Sequence, residues 1–126
     1  MTAARPRLLV VEDEPALQKV LAVRLQIEGF EVRAAGDGEE ALAMIAEERP
    51  DLVLTDLMMP LMDGAELTRQ IKGDPALKSI PVMVLTALKE QREREHLLRL
   101  GADAFAAKPY NSAELTARIR ELLAGG

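Results

Sequence analysis

The sequence has no cysteine and no tryptophan, and its aromatic share is 2%, two Phe and one Tyr. The missing cysteines exclude a disulfide scaffold, thiolate-bound metal and a cysteine nucleophile. With so few rings, the core has to be built from Leu, Val, Ile, Ala and Met. No apolar run approaches the roughly 20 residues that span a bilayer, and residues 1–7 hold nothing like the apolar core of a signal peptide. A cytoplasmic location without a membrane partner is the default expectation. Basic excess is missing too. The 21 acidic and 16 basic residues give a net charge of −5, the wrong sign for gripping nucleic-acid phosphates, so direct nucleic-acid binding is not expected. No G-x-x-x-x-G-K pattern occurs, and Gly36-Asp37-Gly38 is too short to be a nucleotide-cradling loop.

What is present fits one folded unit. The 126 residues, 48% hydrophobic and 29% charged, are enough to bury a core without staples. The expected span is 1–126 as a single domain, with no internal repeat, linker or second domain in this chain. Leu8–Val11, Leu52–Thr55 and Val82–Leu85 are continuous apolar runs, the signature of strands covered on both faces. Phe30–Ala35 and Ala104–Ala107 read as two more strands. Between them lie helical patterns. Pro15 opens the first, Leu17, Val20, Leu21 and Leu25 mark its stripe, and Gly29 stops it. Ala41, Leu42, Ile45 and Ala46 mark the second. Asp63, with Glu66 three residues on, caps the third in a capping box, and Leu67 and Ile71 face inward. The fourth, Lys89–Leu100, is heavily charged, with Leu97, Leu98 and Leu100 as its anchors and Gly101 as its end. Asn111 caps the fifth, whose inner face is Leu115, Ile119, Leu122 and Leu123. Five strand–helix pairs make an α/β fold, a parallel sheet with helices on both faces.

Parallel strands deliver their C-terminal ends to one edge, where α/β proteins bind ligands. Glu12 and Asp13 follow the first strand, Asp56 the third, Thr86 the fourth and Lys108 the fifth. Singly, these are ordinary turn, cap or surface residues. Together they are an all-oxygen cluster plus one cation. Three carboxylates in close quarters need a proton or a cation among them, and Mg2+ suits such a set when phosphate also binds. The chemistry is phosphoryl transfer. Asp56 attacks, Mg2+ and Lys108 neutralise the phosphoryl oxygens, and Thr86 donates to one of them.

At this point the sequence resembles the receiver domain of two-component response regulators, from about Arg7 to Leu123. The segments that carry the likeness are Leu9-Val10-Val11-Glu12-Asp13-Glu14, Pro50 to Asp56, Met59-Pro60, Asp63-Gly64, Thr86-Ala87 and Lys108-Pro109. The resemblance implies a doubly wound (βα)5 flavodoxin-like fold with strand order 2-1-3-4-5. It implies Glu12, Asp13, Asp56 and the backbone carbonyl of Met58 as Mg2+ ligands, with Asp56 as phosphoacceptor and Thr86 and Phe105 as the switch pair. It also implies a cis Lys108–Pro109 bond that aims the ammonium at Asp56. The partners it implies are a sensor histidine kinase or phosphotransfer protein upstream and an unidentified protein downstream, bound on the face of helix 4, strand 5 and helix 5. The nearest likeness is to stand-alone, chemotaxis-regulator-like receivers, monomers or weak homodimers rather than enzymes.

Three departures matter. Met58 and Leu88 occupy the positions two past Asp56 and Thr86, where polar residues can orient a hydrolytic water. A long-lived phosphorylated form is therefore expected. Ala104 is not acidic, which removes one half of the dimer contacts that DNA-binding members make with basic residues of the last helix, here Arg118 and Arg120. Met58 also stands where a haloacid-dehalogenase-type phosphatase, the main rival reading, needs a second Asp as general acid. A scaffold receiver that is never phosphorylated is the other rival. His96, the single histidine, reads as a solvated helical residue, and Met58, Met59 and Met62 as either loop packing or a soft docking surface.

Overall fold

The computed structural model describes residues 5–87 and 91–125. Its elements alternate in chain order: β1 (Arg7–Val11), α1 (Pro15–Ile27), β2 (Glu31–Ala35), α2 (Gly38–Glu47), β3 (Leu52–Asp56), α3 (Gly64–Gly73), β4 (Val82–Thr86), α4 (Gln91–Arg99), β5 (Ala104–Ala107) and α5 (Ser112–Leu123). The five strands form one parallel sheet in the order β2-β1-β3-β4-β5. This is the expected doubly wound (βα)5 flavodoxin-like arrangement.

Alternation along the central strands divides the core in two. Leu9, Val11, Val53, Val82 and Val84 point to one face, where α2, α3 and α4 bring Ala41, Ile45, Leu67, Ile71 and Leu97. Leu8, Val10, Leu52, Leu54, Met83 and Leu85 point to the other, where α1 and α5 bring Leu21, Leu25, Leu115 and Ile119. Both faces of β3 and β4 are buried along their whole length, which is why those strands carry no polar alternation. The edge strands β2 and β5 are only partly covered.

The helix ends follow local chemistry. Gly29 and Gly101 adopt φ of 103° and 106° and close α1 and α4 with paired bonds. Phe30 N–H and Gly29 N–H donate to Leu25 and Gln26, and Ala102 N–H and Gly101 N–H donate to Leu97 and Leu98. Such caps need a left-handed residue, which glycine supplies at no steric cost. Asp63 and Asn111 accept from the N–H groups of Glu66 and Glu114, as expected of caps.

Several expectations are corrected. The Asp63 box is half made, because the Glu66 carboxylate turns along its own helix to Arg69 and Gln70 instead. Asp37, which carries no cap assignment in the sequence reading, caps α2 by accepting from Glu40 N–H at 2.8 Å. Phe30 lies just before β2, fully buried beneath the Arg120 guanidinium, and Ala46 is exposed. In α1, Leu21 and Leu25 are buried, but Leu17 and Val20 are 47% and 61% exposed. The helix has a second apolar stripe, Ala16, Val20, Val23 and Ile27, on the side away from the sheet, at spacings of four, three and four. In α4, Leu97 is buried, Leu98 is half exposed and Leu100 is partly covered. The expected start of this helix at Lys89, and Leu88 before it, lie outside the described residues.

Leu61 is the one non-glycine with positive φ among the described residues, at 68°, and it is 91% exposed. An L-residue pays about 1–2 kcal/mol for that conformation, and no burial offsets it here. Leu61→Gly is expected to raise unfolding stability by about 0.5–1 kcal/mol after the added chain entropy of glycine. Urea melts of the two proteins measure the difference, and a loss of stability would mean that Leu61 packs against something.

Candidate functional site at the carboxyl edge of the sheet

The strand register brings the polar residues to one level. Val11 pairs with Thr55, Asp56 with Leu85, and Thr86 with Ala107. Glu12 and Asp13 therefore leave β1 beside Asp56, the last residue of β3, and Thr86 is the last residue of β4, one step beyond the level of Asp56. Asp56 and Thr86 close their strands rather than follow them, a one-residue shift from expectation. Lys108 follows β5 directly, and its N–H donates to Thr86 C=O at 2.9 Å. The Lys108–Pro109 bond is cis.

One carboxylate oxygen each from Glu12, Asp13 and Asp56 lies within 4.8 Å of the others. Glu12 and Asp56 are buried and Asp13 is exposed. Lys108 Nζ stands 2.7 Å from Asp56 Oδ1 and 3.8 Å from Glu12 Oε1. Three carboxylates against one ammonium leave two negative charges unbalanced, so the donor set fits a hard divalent cation with oxygen ligands. Burial, helped by the Asp56 charge, pushes the Glu12 carboxyl above its ordinary range, although an N–H from Glu14 works the other way. Burial opposes the Lys108 ammonium, but its bond to Asp56 and the charges of Asp56 and Glu12 outweigh that and raise its pKa. Lys108 thus stays cationic throughout the physiological range.

The loop after β3 is folded tightly. Gly64 N–H donates to Leu57 C=O at 2.8 Å, and a Cβ on Gly64 would stand 2.4 Å from Asp56 O. A side chain there would push the loop off the end of β3. Of the three loop methionines, Met59 is in the core and Met62 packs against Gly38, while Met58 is 73% exposed. Loop packing therefore accounts for two of them.

Phe105 is half buried on β5, with the Arg94 guanidinium of α4 5.5 Å over its ring. His96 is exposed on α4. Arg118 lies beside Glu121 of its own helix, and Arg120 donates to Glu28 C=O and covers Phe30. Arg120 is thus held on the α1 side of the molecule.

Sequence reasoning missed Gln18 and Tyr110. Gln18, in the second turn of α1, donates to the carbonyls of Glu12 and Ala35, both at 3.0 Å. Tyr110 lies half buried near Lys108 and Arg24, and burial raises its hydroxyl pKa. Tyr110, Leu17, Val20 and Lys108 line a cleft of about 400 Å³ beside the acidic cluster. Neither residue had a motif to announce it.

Residues 8–120 match the family model described as the response regulator receiver domain. The chain belongs to the receiver-domain family of response regulators. As a receiver it is 41% identical over 123 residues to the DNA-binding response regulator MtrA of Mycolicibacterium smegmatis, covering 98% of this chain and 53% of that protein. It is 44% identical over 116 residues to the response regulator PleD of Caulobacter vibrioides, covering 92% and 26%. The chain spans about half the length of the first curated relatives it matches. Among solved structures, the receiver domain of the sensor histidine kinase PA1611 from Pseudomonas aeruginosa PAO1, described with magnesium coordinated in its active-site cleft, superposes with a TM-score of 0.87 at 32% identity, over 96% of this chain and 99% of that one. The Vibrio cholerae chemotaxis protein CheY4 gives 0.88 at 29%, over 94% and 98%.

The electrostatics of this receiver yield a prediction for the metal-free protein. A raised Glu12 pKa means the fold prefers the protonated carboxyl. That contribution is complete below the unfolded value of 4.5 and is lost as pH rises through the higher folded value. Glu12→Gln, a permanent mimic of the neutral acid, is expected to stabilise the metal-free protein at pH 7 by up to about 1 kcal/mol, an ordinary scale for one substitution. The advantage should fade toward pH 4. Thermal melts in chelator across that range test it, and a destabilised variant at pH 7 would contradict the sign.

Proposed function

We propose that this receiver is a phosphorylation-controlled signalling switch in which Asp56 accepts a phosphoryl group from the phosphohistidine of a sensor kinase or phosphotransfer protein. The observation that carries the reading is Lys108 Nζ at 2.7 Å from Asp56 Oδ1, inside a cluster of three carboxylates. An Asp56 oxygen forms the new bond to phosphorus as the phosphorus–nitrogen bond of the donor breaks. Glu12, Asp13, Asp56 and the Met58 backbone carbonyl would hold Mg2+, which when bound supplies positive charge to the phosphoryl oxygens. Lys108 adds a second positive charge from the β5 side, and the Thr86 hydroxyl donates to a phosphoryl oxygen. Positioning and electrostatics carry most of the catalysis of such a transfer, so these few groups suffice.

The cleft lined by Leu17, Val20, Lys108 and Tyr110 gives the donor an apolar seat beside the acceptor. Once in place, the dianion draws Thr86 toward it. The room Thr86 vacates is taken by Phe105, whose ring then leaves Arg94 and frees the face of α4, β5 and α5 for a downstream protein. The unit acts as a phosphoryl acceptor rather than a turnover enzyme, because Met58 supplies no proton for a hydrolytic step. A cytoplasmic setting fits this role, and no helix among the described residues is long and apolar enough to cross a membrane.

Incubation with acetyl phosphate and magnesium is expected to add one phosphoryl group to the wild type and none to Asp56→Asn, read by intact-protein mass. Phosphorylation that persists in Asp56→Asn would overturn the assignment. A second expectation concerns lifetime. Met58 is exposed at the rim and cannot orient a water, so loss of the phosphoryl group should take hours. Decay within seconds in the absence of a phosphatase would contradict this, and Met58→Asn should shorten the lifetime roughly tenfold, less than the roughly hundredfold low end for a general acid–base group, because an amide orients the water without taking its proton.

A further inference from the structure

The acidic pair Glu12-Asp13 begins a loop, and a loop needs something to hold its peptide planes. The described structure offers three fixed points. Glu12 N–H donates to Ala35 C=O at 3.0 Å, continuing the β1–β2 ladder by one step. Glu14 N–H donates to the Glu12 carboxylate at 3.2 Å. The third is Gln18. Both hydrogens of its side-chain amide are used, one on Glu12 C=O and one on Ala35 C=O. A planar amide with both donors engaged has no rotamer freedom left. Its own N–H is bonded to Glu14 C=O at 2.9 Å, so the amide is carried on an ordered turn of α1.

We infer that Gln18 is the positioning residue of the metal site. The Glu12 carbonyl belongs to the Glu12–Asp13 peptide, so fixing its direction fixes how both carboxylates leave the backbone. That constraint opposes a real force. Three carboxylates within 4.8 Å share one ammonium, Lys108, so net repulsion remains until a divalent cation joins them, and the loop carrying two of them would swing outward if its peptide were free. Gln18 holds the loop through its backbone carbonyl rather than its carboxylates, without contributing charge to the site. It also ties β1 and β2 to α1, so the helix that covers one face of the sheet sets the geometry of the edge. Partners behind the ligands commonly tune metal affinity by 10–100-fold.

The inference rests on the metal-binding part of the proposed function, and the test separates the two. Gln18→Met keeps side-chain length and helix propensity while deleting both donors. Mg2+ affinity is measured by calorimetric titration of wild type, Gln18→Met and Gln18→Lys, alongside thermal melts in chelator. Gln18→Met is expected to bind Mg2+ at least fivefold more weakly, and Gln18→Lys, whose ammonium can donate to both carbonyls, to recover part of that loss. A purely structural residue would lower the melting temperature in chelator and leave the affinity of the folded protein within fivefold of wild type, which overturns the inference. If Gln18→Met does not fold, the wild type still decides. The side-chain amide resonances of Gln18 should shift on Mg2+ titration, and resonances that stay fixed at saturation overturn the inference. Wild type that fails to bind Mg2+ refutes the metal reading itself.

Discussion

A parallel sheet covered on both faces leaves a polar group few places to go. In this receiver the faces of β1, β3 and β4 are sealed by two layers of aliphatic side chains, and the carboxyl edge is where the strands release the chain into loops. Parallel pairing makes that edge common to all five strands. Residues as distant in sequence as Glu12 and Lys108 therefore meet by topology, without any local motif joining them. The same rule explains why the core tolerates so few aromatics. Helices packed on strands of Val, Leu, Met and Ala need only aliphatic side chains of similar size to close the gap.

The meeting is unbalanced, and the imbalance defines what the edge can do. One ammonium lies among three carboxylates, two of which are out of water. The ordinary relief is protonation, and the raised Glu12 pKa leans that way. A divalent cation is the alternative relief, and it prepares the edge for a phosphoryl group that three bare carboxylates would repel. Lys108 contacts Glu12 and Asp56 together, so it stabilises the cluster in the resting protein and, under the proposed phosphorylation, would already be in place for the incoming charge.

Much of this was legible in the sequence. The continuous runs before Glu12, Asp56 and Thr86 give their strands away because two-sided burial forbids polar alternation, and Gly29 and Gly101 mark helix ends because their turns need positive φ. The identities of Glu12, Asp13, Asp56, Thr86 and Lys108 could be read from their places after strands, whereas the strand order came through family resemblance. What stayed hidden depends on direction. The apolar residues of α1 fall on two faces, and a list of them does not say which face meets the sheet. Glu66 could have reached back to its cap or forward to Arg69, and only packing decides. Gln18 is one of four glutamines until the carbonyls of Glu12 and Ala35 stand over its amide. Leu61 shows no sign of its left-handed backbone, since a three-residue turn, closed by Met62 N–H on Pro60 C=O at 2.8 Å, imposes it.

The layout also favours one direction for a signal leaving the edge. Asp56 sits on β3, and the sheet continues from it two ways. Toward β2 the path crosses β1, whose apolar residues are fully buried and whose end is fixed by Gln18 and the Ala35 carbonyl. Toward β5 it meets Thr86, then a strand of Ala104, Phe105, Ala106 and Ala107, in which Phe105 is the one bulky side chain. Small residues leave room for a ring to move. Beyond it lies α4, where Leu97 is the one fully buried apolar residue among those described, and where Arg94 holds Phe105 by a contact worth at most about 1–2 kcal/mol. Under the proposed phosphorylation, a charge arriving at Asp56 would find a clamped side and a yielding side. The groups that would feel it most directly, Thr86 and Lys108, are both on the yielding one.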